Sequence, residues 1–306
     1  MQKIFGYIIV LAIVVETIIF AFLAPSFFSF DNLINVAVSI AVIGILAVGM
    51  TFVILTGGID LSIGSVAALA GVAAALTALK FGALAGFAAA FAVGLASGAF
   101  SGAMIAFFRV PPFIVTLALL TIARGLAFIL AEGRSIGNLP ENFTAFGKAS
   151  FFNVPLSVWL LIASFAAGWF VLQHTRFGRY VYAVGGNREA AFLAGINVKS
   201  VTLWIYILNG FFVGLASVVL ASRLGAGVPN SGLQYELDVI AAVVVGGTSL
   251  TGGRGSVVST LFGAIFIGVL NNGLNLAGVE PYTQKIVLGA VILIAVLADQ
   301  FKKPAV

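Results

Sequence analysis

"LINVAVSIAVIGILAVGMTFVIL" spans residues 33–55 and contains no charged side chain. As a helix rising about 1.5 Å per residue it covers a hydrocarbon core of roughly 30 Å. Nine further apolar segments lie on either side of it, at 5–23, 62–79, 84–107, 113–131, 155–173, 201–221, 237–248, 256–275 and 283–299. The chain has 306 residues, of which 61% are hydrophobic and 8% charged. A soluble domain carries about 25% charged residues. So few charges cannot cover the surface of a soluble fold this long. The composition and run lengths predict an all-α, polytopic membrane protein of about ten transmembrane helices, forming a single domain over 1–306.

Two segments need comment. The first, 5–23, is longer than the roughly 7–15-residue core of a signal peptide, so a retained span is expected. The eighth, 237–248, is short for a crossing and runs into the glycine-rich stretch Gly246–Gly255. It is expected to be broken or re-entrant.

Lysine and arginine placement sets the orientation. With the N-terminus in the cytoplasm, ten spans return the C-terminus there. Lys3, Arg109, Arg176, Arg179, Arg188, Lys199, Arg254, Lys302 and Lys303 then face the cytoplasm. Lys80, Arg134, Lys148, Arg223 and Lys285 face outward. The excess on the first side follows the positive-inside rule. The net charge of +5 therefore reports cytoplasmic loops, not a nucleic-acid partner. The long outer loop, 132–154, reads either as a tether or as a contact for an external partner.

Several chemistries are excluded. The chain has no cysteine and one histidine, His174, which rules out disulfides and any Cys/His metal site. Gly247-x-x-x-x-Gly252 continues as Gly253-Arg254, so the lysine of a phosphate-binding loop is missing. Gly133-Arg134-Ser135-Ile136-Gly137 has the spacing of a nucleophile elbow. It lacks the strand before and helix after that such an elbow requires, and Ser135 has no histidine on its side of the membrane. No catalytic residue, metal or cofactor is expected. The remaining class is transport.

The chain's 36 glycines suit close helix packing in lipid. Gly82/Gly86, Gly94/Gly98, Gly98/Gly102 and Gly210/Gly214 have the small-xxx-small spacing, and packing within the subunit is expected. Charges within or at the ends of spans are candidates for function: Glu16, Asp60, Arg124, Asp238 and Asp299. Asp60 follows two helix-breaking glycines in "LTGGIDLSIGS". It reads as a helix N-cap or, with Thr56, as part of a translocation path, and the two roles are compatible. Asn271, Asn272 and Asn275 form a late amide cluster in the ninth segment. Amides suit a sugar path and equally suit hydrogen bonds between helices. "GGIDLSIGSV" at 57–66 and "GGTSLTGGRGSV" at 246–257 echo each other, as a trace of duplication or a shared local device.

The longest cytoplasmic connection is "HTRFGRYVYAVGGNREAAFLAGINVKS", 174–200. Asn187 is a good helix N-cap, Glu189 favours the first turn and Gly195 is a plausible stop. A two-turn helix over 188–194 follows, carrying Ala190, Ala191, Phe192 and Leu193. A helix this short is marginal alone in water. It needs either a groove on a partner or the membrane surface. Arg176 and Arg179, with the rest of 174–181, read as anchors of the sixth span.

"VGMTFVILTGGIDLSIGS", "RVPPFIVTLALLTIARG", "TRFGRYVYAVGGNREAAFLAGINV" and "YELDVIAAVVVGGTSLTGGRGS" together resemble the ribose-type permeases of bacterial ATP-binding-cassette importers. The tail "LFGAIFIGVLNNGLNLAGVEPYTQKIVLGAVILIAVLAD" is similar to ribose permeases nearly throughout. The resemblance covers roughly residues 30–299. It implies a vitamin-B12-importer-like arrangement in the cytoplasmic (inner) membrane and a second permease subunit, as a homodimer. It further implies an external sugar-binding protein, a separate cytoplasmic ATPase and a monosaccharide cargo, with ribose foremost. The family's ATPase-docking loop is matched at Gly185, Asn187, Ala190, Ala191, Gly195 and Ile196, with Arg188, Glu189, Phe192 and Leu193 inside it. The rival reading is an ion-gradient-driven secondary transporter, motivated by Asp60 and Arg124.

Overall fold

The structure is a computed structural model describing residues 2–300, with side chains from 9 to 297. The side chains of Lys3, Asp299, Lys302 and Lys303 lie outside that range. Helices form at all ten apolar segments: α1 (Gln2–Leu23), α2 (Phe30–Leu55), α3 (Ile63–Phe81), α4 (Ala83–Ala106), α5 (Pro112–Leu130), α7 (Leu156–His174), α10 (Val198–Leu224), α11 (Tyr235–Val245), α12 (Val257–Leu276) and α13 (Pro281–Gln300). Among the described residues, seven of these helices are long and apolar enough to cross a membrane: α2, α3, α4, α5, α7, α10 and α12. The protein is therefore an all-α, multi-pass membrane protein.

Three short helices complete the set; the first two were not anticipated, and the third answers to the helix expected over 188–194. α6 (Glu141–Lys148) precedes a small hairpin of β1 (Ser150–Phe151) and β2 (Val154–Pro155). α8 (Arg176–Gly186) and α9 (Arg188–Leu193) divide the 174–200 connection between them. The 132–154 loop is more than a tether. Phe143 of α6 is fully buried and packs on Phe87 at 4.9 Å, while Phe146 meets the same ring at 5.0 Å. Aromatic burial of this kind holds the loop on the ends of α4 and α10.

α2 and α10 lie at the centre. Most of α2 from Ile40 to Leu55 is buried, and α10 is buried over most of its length. α10 meets α4 through glycine. A Cβ on Gly94 would sit 2.9 Å from the Gly214 nitrogen, and one on Gly210 would sit 3.2 Å from Gly98 Cα. Any side chain there would force the two backbones apart. These small-xxx-small pairs are used inside the chain, as expected. Elsewhere helices are joined by polar pairs. Thr51 of α2 and Thr260 of α12 share a hydrogen bond of 2.9 Å in a buried setting.

α11 is shorter than its predicted segment. Its 11 residues reach roughly 16 Å, about half a hydrocarbon core. The break lies before it as well as after. α10 ends at Gly225 in the left-handed region, and residues 225–234 run back without helical structure beside α3. Gly227 lies against Ala75 and Val72, and Gly232 against Gly64. Residues 56–62 behave similarly between α2 and α3. The 225–234 segment reaches the first turn of α3, just past the 56–62 segment, where Gly232 touches Gly64.

Candidate functional site

Non-helical backbone deep in a helical bundle must find partners for its polar groups. Each of the two segments is tied by a charged side chain. For 56–62 it is Asp60, which is only 4% exposed. Its Oδ1 accepts from the Ser62 amide at 2.9 Å and the Ser62 hydroxyl at 2.6 Å. Its Oδ2 accepts from Asn209 Nδ2 of α10 at 2.8 Å. The cap position of α3 is Ser62, so Asp60 is not the N-cap. It closes a local turn two residues ahead and ties that turn to α10. All three of its hydrogen bonds go to protein groups. Thr56 caps the end of α2, donating its hydroxyl to the Val53 carbonyl at 2.9 Å.

For 225–234 the tie is Arg124 of α5. Its Nη1 donates to the Pro229 carbonyl at 2.7 Å and the Ser231 carbonyl at 2.8 Å. Lys285 of α13 donates to the Gln234 side chain at the same junction. The two charges that motivated an ion-driven transporter are thus engaged in supporting irregular backbone. Of the other charged candidates, Glu16 is buried on α1 without a hydrogen-bond partner among the described residues. Asp238 lies in the first turn of α11.

Asn209 and Tyr206 went unremarked in the sequence. Both are buried on α10, and the Tyr206 hydroxyl lies beside Gly58. A lone amide inside the apolar run of α10 carries the same signal as a lone charge, and applying that rule to amides would have found Asn209. Replacing Asp60 is expected to destabilise the protein. Asp60→Ala strands the Ser62 and Asn209 donors, at about 1–3 kcal/mol for each buried group. Asp60→Asn loses less, because the Asn209 Oδ1 has no partner and can accept from the new amide once Asn209 turns over. Thermal unfolding in detergent should order the stabilities as wild type, then Asp60→Asn, then Asp60→Ala.

The α12 amides divide between the two readings. Asn272 exchanges two side-chain hydrogen bonds with Asn32 of α2, at 3.0 and 2.9 Å. Asn32 also donates to the Phe27 carbonyl at 2.8 Å. Asn272 is therefore an interhelical clasp. Asn275 accepts from Gln284 at 3.2 Å. The Asn271 side chain makes no hydrogen bond among the described residues. It lines a small cavity of about 110 Å³ with Ser39, Ile43 and Gly268.

The 174–200 connection is exposed along much of its polar sequence. Thr175 caps α8, accepting from the Gly178 amide at 3.1 Å. α8 buries Gly178, Val181 and Val184 against the bundle end. Phe177 stacks on Phe52 at 6.5 Å, and Tyr182 donates to the Gly255 carbonyl at 2.9 Å. Residues 176–186 are thus a helix seated under α2 and the 246–255 stretch, more than an anchor of α7. The two echoing glycine stretches touch here. The Gly253 amide donates to the Leu55 carbonyl at 2.8 Å, and a Cβ on Gly252 would lie 2.9 Å from the Gly57 nitrogen. Gly185 of α8 completes the junction, pressed against the Leu55 carbonyl and Gly253.

α9 forms as its caps dictate. Asn187 Oδ1 accepts from the Ala190 amide at 2.9 Å. At the other end Gly195 has φ +82°. Its amide donates to Phe192 at 2.9 Å, and that of Ile196 to Ala191 at 3.0 Å, the two bonds of a Schellman stop. Ala191 faces inward, while Phe192 is 68% and Leu193 78% exposed. Two large apolar side chains are held out from a rigid, doubly capped turn.

A multi-pass helical bundle with broken interior segments, linked through glycine to an exposed apolar helix, has the build of a membrane permease. Residues 32–296 match the family described as the branched-chain amino acid transport system / permease component. The chain belongs to this family, and it is a transport subunit and not an enzyme. It is 46% identical to the ribose import permease protein RbsC of Escherichia coli strain K12, over 96% of this chain and 93% of that one. The ribose import permease of Haemophilus influenzae is 42% identical, over 95% and 92%. The L-arabinose transport system permease protein AraH of Escherichia coli is 37% identical, over 98% and 92%.

Proposed function

We propose that this chain is the permease subunit of an ATP-driven importer of a monosaccharide, with ribose the cargo. The observation that carries the reading is 46% identity to a ribose import permease along nearly the whole of both chains. The lower identity to the arabinose permease, 37%, favours ribose over the other pentose. The exposed, doubly capped α9 supports a separate ATPase as the energy source, docking on residues 185–196. An external sugar-binding protein delivers the cargo. The chain is one domain of ten crossings in the vitamin-B12-importer-like arrangement, with both termini in the bacterial cytoplasm.

Two copies form the path. The amide-lined cavity within one chain is small, about 110 Å³, and a path for a hydrated sugar needs more. Asn271 and Asn275 contribute to the path. Asn272, Asp60 and Thr56 support its walls. The mechanism follows the contacts. Movement of α9 is carried by α8 to the Gly185 junction, where the end of α2 and the 246–255 stretch meet. From there it reaches the non-helical segments. ATP shifts the balance between outward- and inward-open states because α9 makes different contacts with the ATPase in each.

Liposomes holding the chain with its cognate ATPase and binding protein should accumulate labelled ribose only with ATP. Accumulation driven by a sodium or proton gradient, with the ATPase omitted, overturns the proposal. In the same assay Asn271→Ala should lower uptake at unchanged thermal stability, whereas Asn272→Ala should lower the stability.

A further inference from the structure

A cleft of about 1080 Å³ opens between the α4–α5 turn and the segment joining α9 to α10. Ile105 and Val198 give it an apolar floor, Arg109 and Lys199 stand on its walls, and α9 closes it with Arg188, Phe192 and a single acid, Glu189. The turn beside it exposes Phe107, Phe108 and Phe113 by 53%, 69% and 53%. Exposed aromatic side chains at the end of membrane helices sit at the level of lipid headgroups and upper acyl chains. Arg109 itself adopts φ 57°, an uncommon conformation outside glycine, which turns the chain sharply between Phe108 and Val110.

The ligand that suits this combination is amphiphilic and anionic. A free anion would leave the apolar floor unused. A neutral lipid would leave the cations unpaired. Basic pockets between membrane helices are suited to acidic phospholipid heads. We propose that the cleft binds the anionic headgroup of a membrane phospholipid such as phosphatidylglycerol, bridging Arg109 on the α4–α5 turn to Lys199 at the start of α10. The lipid braces the base of α9 against α4 and α5, so membrane composition acts on the element that faces the ATPase. The inference concerns lipid retention and holds whatever the cargo.

The full-length chain, purified in detergent, is mixed with equal amounts of phosphatidylglycerol and phosphatidylcholine and examined by native mass spectrometry. Wild type should retain phosphatidylglycerol in several-fold excess. Arg109→Gln with Lys199→Gln, both outside α9, should reduce that excess to parity. Arg109→Lys with Lys199→Arg, which keeps the charges, should preserve it. Equal retention of the two lipids by wild type, or an undiminished excess in the Gln variant, overturns the proposal. So does loss of the excess in the charge-preserving variant. Displacement of phosphatidylglycerol by millimolar inorganic phosphate makes the site one for free anions and also overturns it. Displacement by the cognate ATPase assigns the cleft to the protein partner, with the same consequence.

Discussion

Gly185→Val will abolish ATP-dependent uptake, and Gly186→Ala will leave it nearly unchanged. The neighbouring glycines differ only in what surrounds them. A Cβ on Gly185 would overlap the Leu55 carbonyl and lie 2.7 Å from the Gly253 nitrogen, whereas one on Gly186 would meet nothing within 4 Å. The atoms crowding Gly185 are backbone, so no rotamer change relieves them. Either α8 lifts from the end of α2 or the hydrogen bond from Gly253 to Leu55 breaks. Overpacking of this kind costs about 1–3 kcal/mol and occasionally more. The effect on transport should exceed the effect on stability, because the same junction links α9 to the interior. A lowered unfolding temperature and at least a tenfold fall in uptake are expected for Gly185→Val, with Gly185→Ala intermediate. Uptake by Gly185→Val at the wild-type rate would remove the junction from the coupling route.

The parts of this protein legible in its sequence are those set by short-range rules. A bilayer demands about 20 apolar residues per helix, so the ten segments could be drawn within a few residues of the helices observed. α9 was legible because Asn187 and Gly195 act on amides three to five residues away. Its predicted end, Ala194, proved to be the cap. α8 was hidden because Gly185-Gly186 reads as a turn when the backbone it presses against is unknown. The non-helical segments were hidden for the same reason. Arg124 reaches carbonyls 105 and 107 residues away, and Asp60 meets an amide 149 residues away. A charge in an apolar run signals that something must compensate it. It does not say whether the partner is a cargo, an ion or the protein itself; here Arg124 meets two backbone carbonyls, and Asp60 meets one backbone amide and two side chains.

Phe192→Ala with Leu193→Ala is expected to separate folding from coupling. The two side chains are 68% and 78% exposed, so they contribute little to the isolated chain, and loss of stability should stay within about 0.5 kcal/mol. Burying either in a groove of the ATPase is worth about 1.5–3 kcal/mol. Since about 1.4 kcal/mol corresponds to a tenfold change in affinity, the double variant should bind the ATPase at least about 100-fold more weakly. ATP-dependent ribose uptake should disappear in reconstituted liposomes while the unfolding temperature holds. Asn187→Ala attacks the same element through its cap, at about 1 kcal/mol, and should weaken uptake without removing it. The order of these effects is the discriminating feature. If α9 merely rested on lipid headgroups, losing two apolar side chains would weaken membrane contact in a chain already anchored by its spans, and ATPase capture would be unchanged. Full capture of the ATPase by the double variant would therefore move the docking surface off α9.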